Sequence, residues 1–270
     1  MCSMSDTSAT RGRVSPSVVL AVVAIVSYLA VLTAVGFVFP VKYTQIAKST
    51  HNLLVGVVIP VGTGALVLCG LATWWGWWRP ALFEGRRFGP TWALISPALL
   101  VLAYLLNLST TDFARLTVGF LLLAALGTLL VGFSEELLMR GLVLIGLRAS
   151  LSEGWVWLIT SGVFGLLHGI NYFYGQPLAE TAVQIAFAAL LGSVFYATRM
   201  LTGTLLISMA LHALNDFSAF LTVGTGSSGL IFTVVIEGVA EIIALIALRR
   251  IIAAKMADRR EGLLSRTSTG

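Results

Sequence analysis

The chain has 270 residues, 57% of them hydrophobic and only 11% charged, with a mean hydropathy of +0.94. A soluble domain carries about 25% charged residues to cover its surface, so this composition argues against a soluble enzyme, a disordered chain or a nucleic-acid binder. The net charge of +5 and the pI near 9.6 do not restore a nucleic-acid role, because the basic residues stand at the ends of apolar runs and form no patch.

A membrane helix needs about 20 apolar residues at 1.5 Å rise each. The sequence predicts an all-α, polytopic membrane bundle of about eight such helices: 17–39, 52–74, 92–108, a fourth beginning near Phe113, then 155–172, 178–198, 203–221 and 229–248. The first run is too long for the apolar core of a signal peptide and lacks a small-residue cleavage site, so a retained helix is expected. The Trp74–Trp78 cluster is expected to form an interfacial belt. Cys2 and Cys69 offer neither a disulfide framework nor a metal-ligand spacing, and both are expected to be incidental.

Lys and Arg set the orientation. With the N-terminus inside, one set of loops holds Arg11, Arg13, Arg79, Arg86, Arg87, Arg148, Arg199, Arg249, Arg250, Lys255, Arg259, Arg260 and Arg266. The other set holds only Lys42, Lys48 and Arg115. Thirteen against three, with Arg140 set aside, requires an even number of spans and places both termini in the cytoplasm. The expected organisation is a disordered N-terminus over 1–16, one transmembrane catalytic bundle over 17–248 with its motif core at 113–221, and a basic tail over 249–270. That tail is expected to anchor near anionic lipid.

A charged side chain at mid-bilayer costs about 2.5–3.5 kcal/mol on insertion scales. It survives there by pairing, by facing a water-filled cavity or by doing chemistry. Three clusters stand out. In the first, Glu135 and Glu136 are followed by Arg140. On a continuous helix Glu136 and Arg140 are four apart, in the favourable order, while Glu135 points about 100° away with its charge uncommitted. In the second, Phe164 precedes His168 by four, and Gly165 and Gly169 form a small-xxx-small pair that lets another backbone approach. In the third, His212 and Asp216 share a helix face, with Asn215 beside them. Such a pair can fix a tautomer or hold a cation. Each cluster alone has a bland reading, as an interfacial charge pair, a hydrogen-bonded core histidine or polar glue. The chain has three histidines, and two fall within spans beside acids; the third, His51, is expected in an outer loop.

The order Glu-Glu-x-x-x-Arg, Phe-x-x-x-His, His-x-x-x-Asp resembles the CAAX protease and bacteriocin-processing family of intramembrane endopeptidases, related to the Ras-converting CAAX endopeptidase. The resemblance covers about residues 133–216; outside it, the match is only one of apolar composition. It implies Glu135, His168, His212 and Asp216 as catalytic, supported by Glu136, Arg140, Phe164 and Asn215. By this resemblance Glu135 and His168 hold and deprotonate a water, and His212 with residue 216 stabilises the oxyanion. Many members carry Asn at that last position. An ionised Asp216 cannot donate, so it is expected to orient or protonate His212. Arg140 is expected to compensate Glu136.

A metal-free glutamate mechanism is preferred. The alternative is zinc held by Glu135, His168 and His212 with an open position for water, against which stands the lack of H-E-x-x-H. The expected setting is a bacterial cytoplasmic membrane, with membrane lipid and a protein or peptide substrate as partners and no nucleic acid; oligomeric state is open. Two other classes remain: a transporter or proton relay using Glu180, Glu237 and Glu241, and a non-catalytic immunity or scaffold protein. The fourth span, run as one helix over 113–148, would be about 54 Å long. It must tilt, project or break, with Gly141 or Gly146 as break points.

Overall fold

A computed structural model describes residues 12–223 and 230–267. Cys2, Arg11 and most of the expected disordered N-terminus lie outside the described residues. Among the described residues the fold is helical, with one isolated antiparallel bridge between Phe83 and Thr204. Eight long helices order the chain: α1 (Val18–Val38), α2 (Thr50–Trp75), α3 (Thr91–Ser109), α4 (Val118–Arg148), α5 (Glu153–Leu167), α6 (Leu178–Thr202), α7 (Leu206–Val223) and α8 (Leu230–Thr267). Among the described residues, by length and apolar composition alone, six segments can cross a membrane: α1, α2, α3, α4, α5 with its short continuation to Phe173, and α6. The two remaining expected spans correspond to α7 and α8. The helices carry large apolar side chains outward, among them Val19, Leu66, Leu122, Leu129 and Ile246, each at least 60% exposed. Water would not tolerate so broad an apolar surface on a single soluble chain; hydrocarbon does. The protein is an integral membrane protein.

Local signals explain where the helices begin. Ser17 caps α1 by accepting from the Leu20 amide at 3.3 Å. Thr117 caps α4 by accepting from the Phe120 amide at 3.2 Å, so α4 starts after Phe113–Arg115, which form a separate turn. Gly76 ends α2 with φ 72°, a conformation that favours glycine. α1 lies on α2, α3 packs on α8, α5 on α6, and α7 on both α3 and α4.

The structure revises several expectations. The fourth helix neither breaks at Gly141 nor at Gly146. It runs 31 residues, about 46 Å, and widens into a π-helical stretch over Leu137–Val143. The tryptophan cluster is only partly interfacial. Trp74 is 65% exposed, but Trp75 and Trp77 are buried at 1% each, with ring centroids 4.7 Å apart. Their polar edges are met inside the fold: Trp77 Nε1 donates to the Val14 carbonyl at 2.9 Å, and the Val14 amide donates to the Trp75 carbonyl. The basic tail is not separate from the bundle, because α8 continues through it to Thr267.

Arg148 and Arg199, expected as loop charges, belong to a buried ion cluster. Glu84 accepts from Arg148, Arg199 and Lys255 at 2.8, 2.8 and 3.0 Å. Glu153, fully buried, pairs with Arg148, accepts from the Tyr196 hydroxyl at 2.7 Å and lies 3.7 Å from Arg259. Burial pushes the Glu84 carboxyl up, but the three cations outweigh it and hold the group well below the usual carboxylate range. The cluster joins the loop after α2 to one end each of α4, α5, α6 and α8, so these ends lie together at one end of the bundle.

Candidate active site

The three motifs converge at the meeting of α4, α5, α6 and α7. Glu136 and Arg140 are both fully buried, and Arg140 donates to Glu136 at 2.7 Å. As expected, one glutamate is committed to its own helix. Glu135 points elsewhere: its carboxylate, 23% exposed, lies 3.9 Å from His212 Nε2. π-Helical turns recur at functional positions because they redirect side chains without ending the helix. Here the stretch begins at Leu137, directly after the two glutamates, and contains Arg140.

His212 stands among three carboxylates. Its Nδ1 is 3.4 Å from Glu136, and its Nε2 is 3.7 Å from Asp216 as well as near Glu135. Asn215 Nδ2 donates to Asp216 at 3.1 Å and orients that carboxylate. Asp216 therefore faces His212 across one helical turn, as the spacing predicts.

His168 lies inside the fifth apolar segment, Glu153–Phe173, as expected, but at an interruption of its helix: it caps the C-terminal end of α5, and a single turn over Ile170–Phe173 follows. Apolar residues run on past the helix end, which is why sequence periodicity overruns it. The position has a chemical consequence. His168 Nδ1 lies 2.9 Å from the Phe164 carbonyl oxygen; a carbonyl only accepts, so Nδ1 carries the proton. The neutral imidazole then keeps its Nε2 lone pair free for a water.

Phe164 is the hub of the site. Its ring meets His168 edge-on at 5.2 Å and His212 edge-on at 5.5 Å, and the Arg140 guanidinium lies 4.3 Å from its centroid. Phe195 of α6 stacks on His212 at 5.1 Å and so fixes the other face of that imidazole. Gly165 has the expected role: a Cβ there would collide with the Ile185 carbonyl and with Ala189 of α6. Gly169 does so less, its nearest foreign neighbour being Ile185 Cδ1 at 3.7 Å.

Glu135, His168, His212, Asn215 and Asp216 line one cavity of about 540 Å³. Glu180, considered above for a relay, lines it too, whereas Glu237 and Glu241 do not. Sequence reasoning missed several of its residues. Asn171 Nδ2 donates to Gln184 Oε1 at 3.0 Å, and Gln184 Nε2 donates to the Tyr43 hydroxyl at 2.8 Å. Burial pushes the Tyr43 hydroxyl up, keeping it protonated. Tyr28 shares a 3.0 Å hydrogen bond with Ser134 beside Glu135. Gln184, a lone amide in an apolar helix, could have been found by the rarity argument that picked out the histidines. Tyr28 could not, because a tyrosine in an apolar run is ordinary.

A zinc site of Glu135, His168 and His212 needs donors about 2.0–2.2 Å from the ion, hence about 3.3–3.6 Å from one another in a tetrahedron. Glu135 and His212 are 3.9 Å apart. Among the described residues no three of His, Cys, Asp and Glu stand close enough together to hold a metal ion. As placed, the donor set does not close around one.

Residues 117–218 match the family model described as type II CAAX prenyl endopeptidase Rce1-like. The matched stretch runs from the cap of α4 to Ser218 of α7 and contains all three motifs, the same residues on which the resemblance rests. No curated protein and no solved structure matches the chain.

Proposed function

We propose that this chain, whose residues 117–218 carry the Rce1-like pattern of an intramembrane endopeptidase, hydrolyses a peptide bond of a membrane-associated protein or peptide by a glutamate-activated water. The observation that carries the reading is the convergence of Glu135, His168, His212 and Asp216 on one cavity inside an apolar bundle.

In the proposed reaction, a water sits between the Glu135 carboxylate and the unprotonated Nε2 of His168. Glu135 takes one proton as the oxygen attacks the carbonyl carbon, and the carbonyl π-electrons move onto oxygen. His212 donates a hydrogen bond to that oxyanion. General-base catalysis of this kind contributes about 10²–10⁴ in rate, and one oxyanion donor about 10²–10³. The intermediate collapses, the C–N bond breaks, and Glu135 returns its proton to the departing amine. The products are a carboxylate and an amine. Asp216, held by Asn215, keeps His212 directed at the oxyanion. Glu136 and Arg140 fix the helix turn behind it, and Phe164 holds both imidazoles in register.

The metal-free version is supported by the separation of Glu135 from His212. The test compares membrane peptides released by cells carrying wild type and Glu135→Gln at matched protein levels. Peptides present only with wild type support hydrolysis. Identical peptide sets, with an unchanged cellular phenotype for Glu135→Gln and His168→Ala, would refute it in favour of a scaffold. Activity that persists under strong chelation supports the glutamate mechanism; loss restored by Zn²⁺ would replace it with the zinc one.

A further inference from the structure

The bundle has two chemically different ends, and the cavity belongs to one of them. At the first end, Glu84, Arg148, Glu153, Arg199, Lys255 and Arg259 form the buried ion cluster. The Phe83–Thr204 bridge lies there, and so do the backbone bonds from Glu84 to Gly203 and from Phe88 to Met200. These segments carry Arg79, Arg86, Arg87, Arg148, Arg199 and Lys255, which belong to the set of basic residues that outnumbers its counterpart in the sequence.

At the other end the Tyr43 amide donates to the Tyr174 carbonyl at 2.8 Å. The Tyr43–Gln184–Asn171 ladder ties the segment before α2 to the turn after α5 and the start of α6. Tyr43, Tyr174, Asn171 and Gln184 all line the catalytic cavity. No residue of the ion cluster does.

The depth of the site agrees. Glu135 is 13 residues before Arg148 along α4, about 20 Å, and His168 is 15 residues after Glu153, about 22 Å. On the side of the ion cluster, Leu138, Leu142, Phe195 and Met200 are all buried at 0%. That core leaves the floor of the cavity closed towards the basic end.

We propose that the catalytic cavity opens on the membrane face opposite the basic end, which the positive-inside bias makes the non-cytoplasmic face, and that its substrate is a peptide segment presented at that leaflet. What the cavity does to the peptide rests on the endopeptidase reading above; the side on which it opens does not.

The test is thiol labelling in a Cys2→Ser, Cys69→Ser background. Asn171→Cys reports the cavity wall, Phe173→Cys, at a position 84% exposed, reports the adjoining turn, and Arg86→Cys reports the basic end. A membrane-impermeant, charged methanethiosulfonate is applied to intact cells and, separately, to inverted vesicles. The expected result is labelling of Asn171→Cys and Phe173→Cys in intact cells, with Arg86→Cys labelled in inverted vesicles alone. The reverse pattern overturns the proposal. So does an Asn171→Cys that resists the reagent from both sides while Phe173→Cys reacts, because the mouth would then be closed. Failure of the endopeptidase reading would show instead as unchanged peptides with Glu135→Gln, leaving the labelling pattern intact.

Discussion

Replacing Arg140 by Met removes the cation while keeping an unbranched side chain of similar reach. Both members of the pair are fully buried in the native protein, so the variant strands Glu136 without its guanidinium. Breaking a buried pair from one side costs about 3–5 kcal/mol. The lost contact with Phe164, at 4.3 Å, adds about 1 kcal/mol. The expected destabilisation is therefore about 5 kcal/mol. Removing the charge from the other side as well, in Glu136→Gln/Arg140→Met, should recover about 2–3 kcal/mol of it. Reversible SDS unfolding in mixed micelles, read by tryptophan fluorescence, measures all three proteins with Glu136→Gln closing the cycle. An Arg140→Met variant within 1 kcal/mol of wild type would refute the reasoning. So would a double variant as damaged as the sum of the single ones.

Three further outcomes are expected. Glu135→Gln, which loses a partly exposed carboxylate with no hydrogen-bonded cation, its nearest basic group being His212 at 3.9 Å, should unfold within about 1 kcal/mol of wild type while peptide release falls by about 10²–10⁴; equal losses of stability and activity would make Glu135 structural. Gly165→Leu should separate α5 from α6, because any side chain there meets the Ile185 carbonyl, and cost about 1–3 kcal/mol in the same unfolding assay, whereas Gly162→Leu, at a position with open space beside it, should cost little. Glu84→Gln should lose about 3 kcal/mol at pH 7, since it strands the fully buried Arg199. The folded-state pKa of Glu84 lies below its unfolded value, so this stabilisation is fully present above about pH 4.3 and fades as the pH falls towards the folded value. The gap between wild type and Glu84→Gln should accordingly narrow below pH 4; a constant gap would show that charge does not hold the cluster.

The parts of this protein legible in its sequence were those governed by local spacing or by rarity. Glu136 and Arg140 could be paired in advance because four residues make one helical turn. His168, His212 and Asp216 announced themselves because hydrocarbon tolerates so few ionisable groups. The illegible parts depend on contacts distant in the chain. Arg148 and Arg199 look like loop charges until Glu84, separated from them by 64 and 115 residues, is folded against both. Trp75 and Trp77 resemble an interfacial belt until Val14 offers its carbonyl. The place of His168 at a helix end was hidden for another reason: Ile170, Tyr172 and Phe173 carry the apolar run on past it.

That last point bears on how the site divides its work. A histidine within an unbroken helix has its preceding carbonyls occupied by the backbone ladder. At the C-terminal end of a helix the last carbonyls lack intrahelical partners, and the Phe164 carbonyl can accept from the side chain of His168 at 2.9 Å. Ending α5 at Leu167 thus does two things with one residue. It satisfies a buried backbone oxygen that would otherwise cost about 1–3 kcal/mol, and it leaves Nε2 of His168 as an acceptor towards the cavity. His212, in the middle of α7 and among three carboxylates, is suited to donate instead. The two imidazoles of the family pattern are therefore not interchangeable. Exchanging the helix end for a continued helix, by replacing Gly169 with Ala and Asn171 with Leu, should leave the side chain of His168 present but its tautomer free. Nitrogen-15 spectra of the imidazole would then show mixed Nδ1 and Nε2 protonation in place of Nδ1 protonation alone, with peptide release reduced in proportion. An unchanged single tautomer in that variant would mean that the cavity, and not the helix end, dictates where the proton sits.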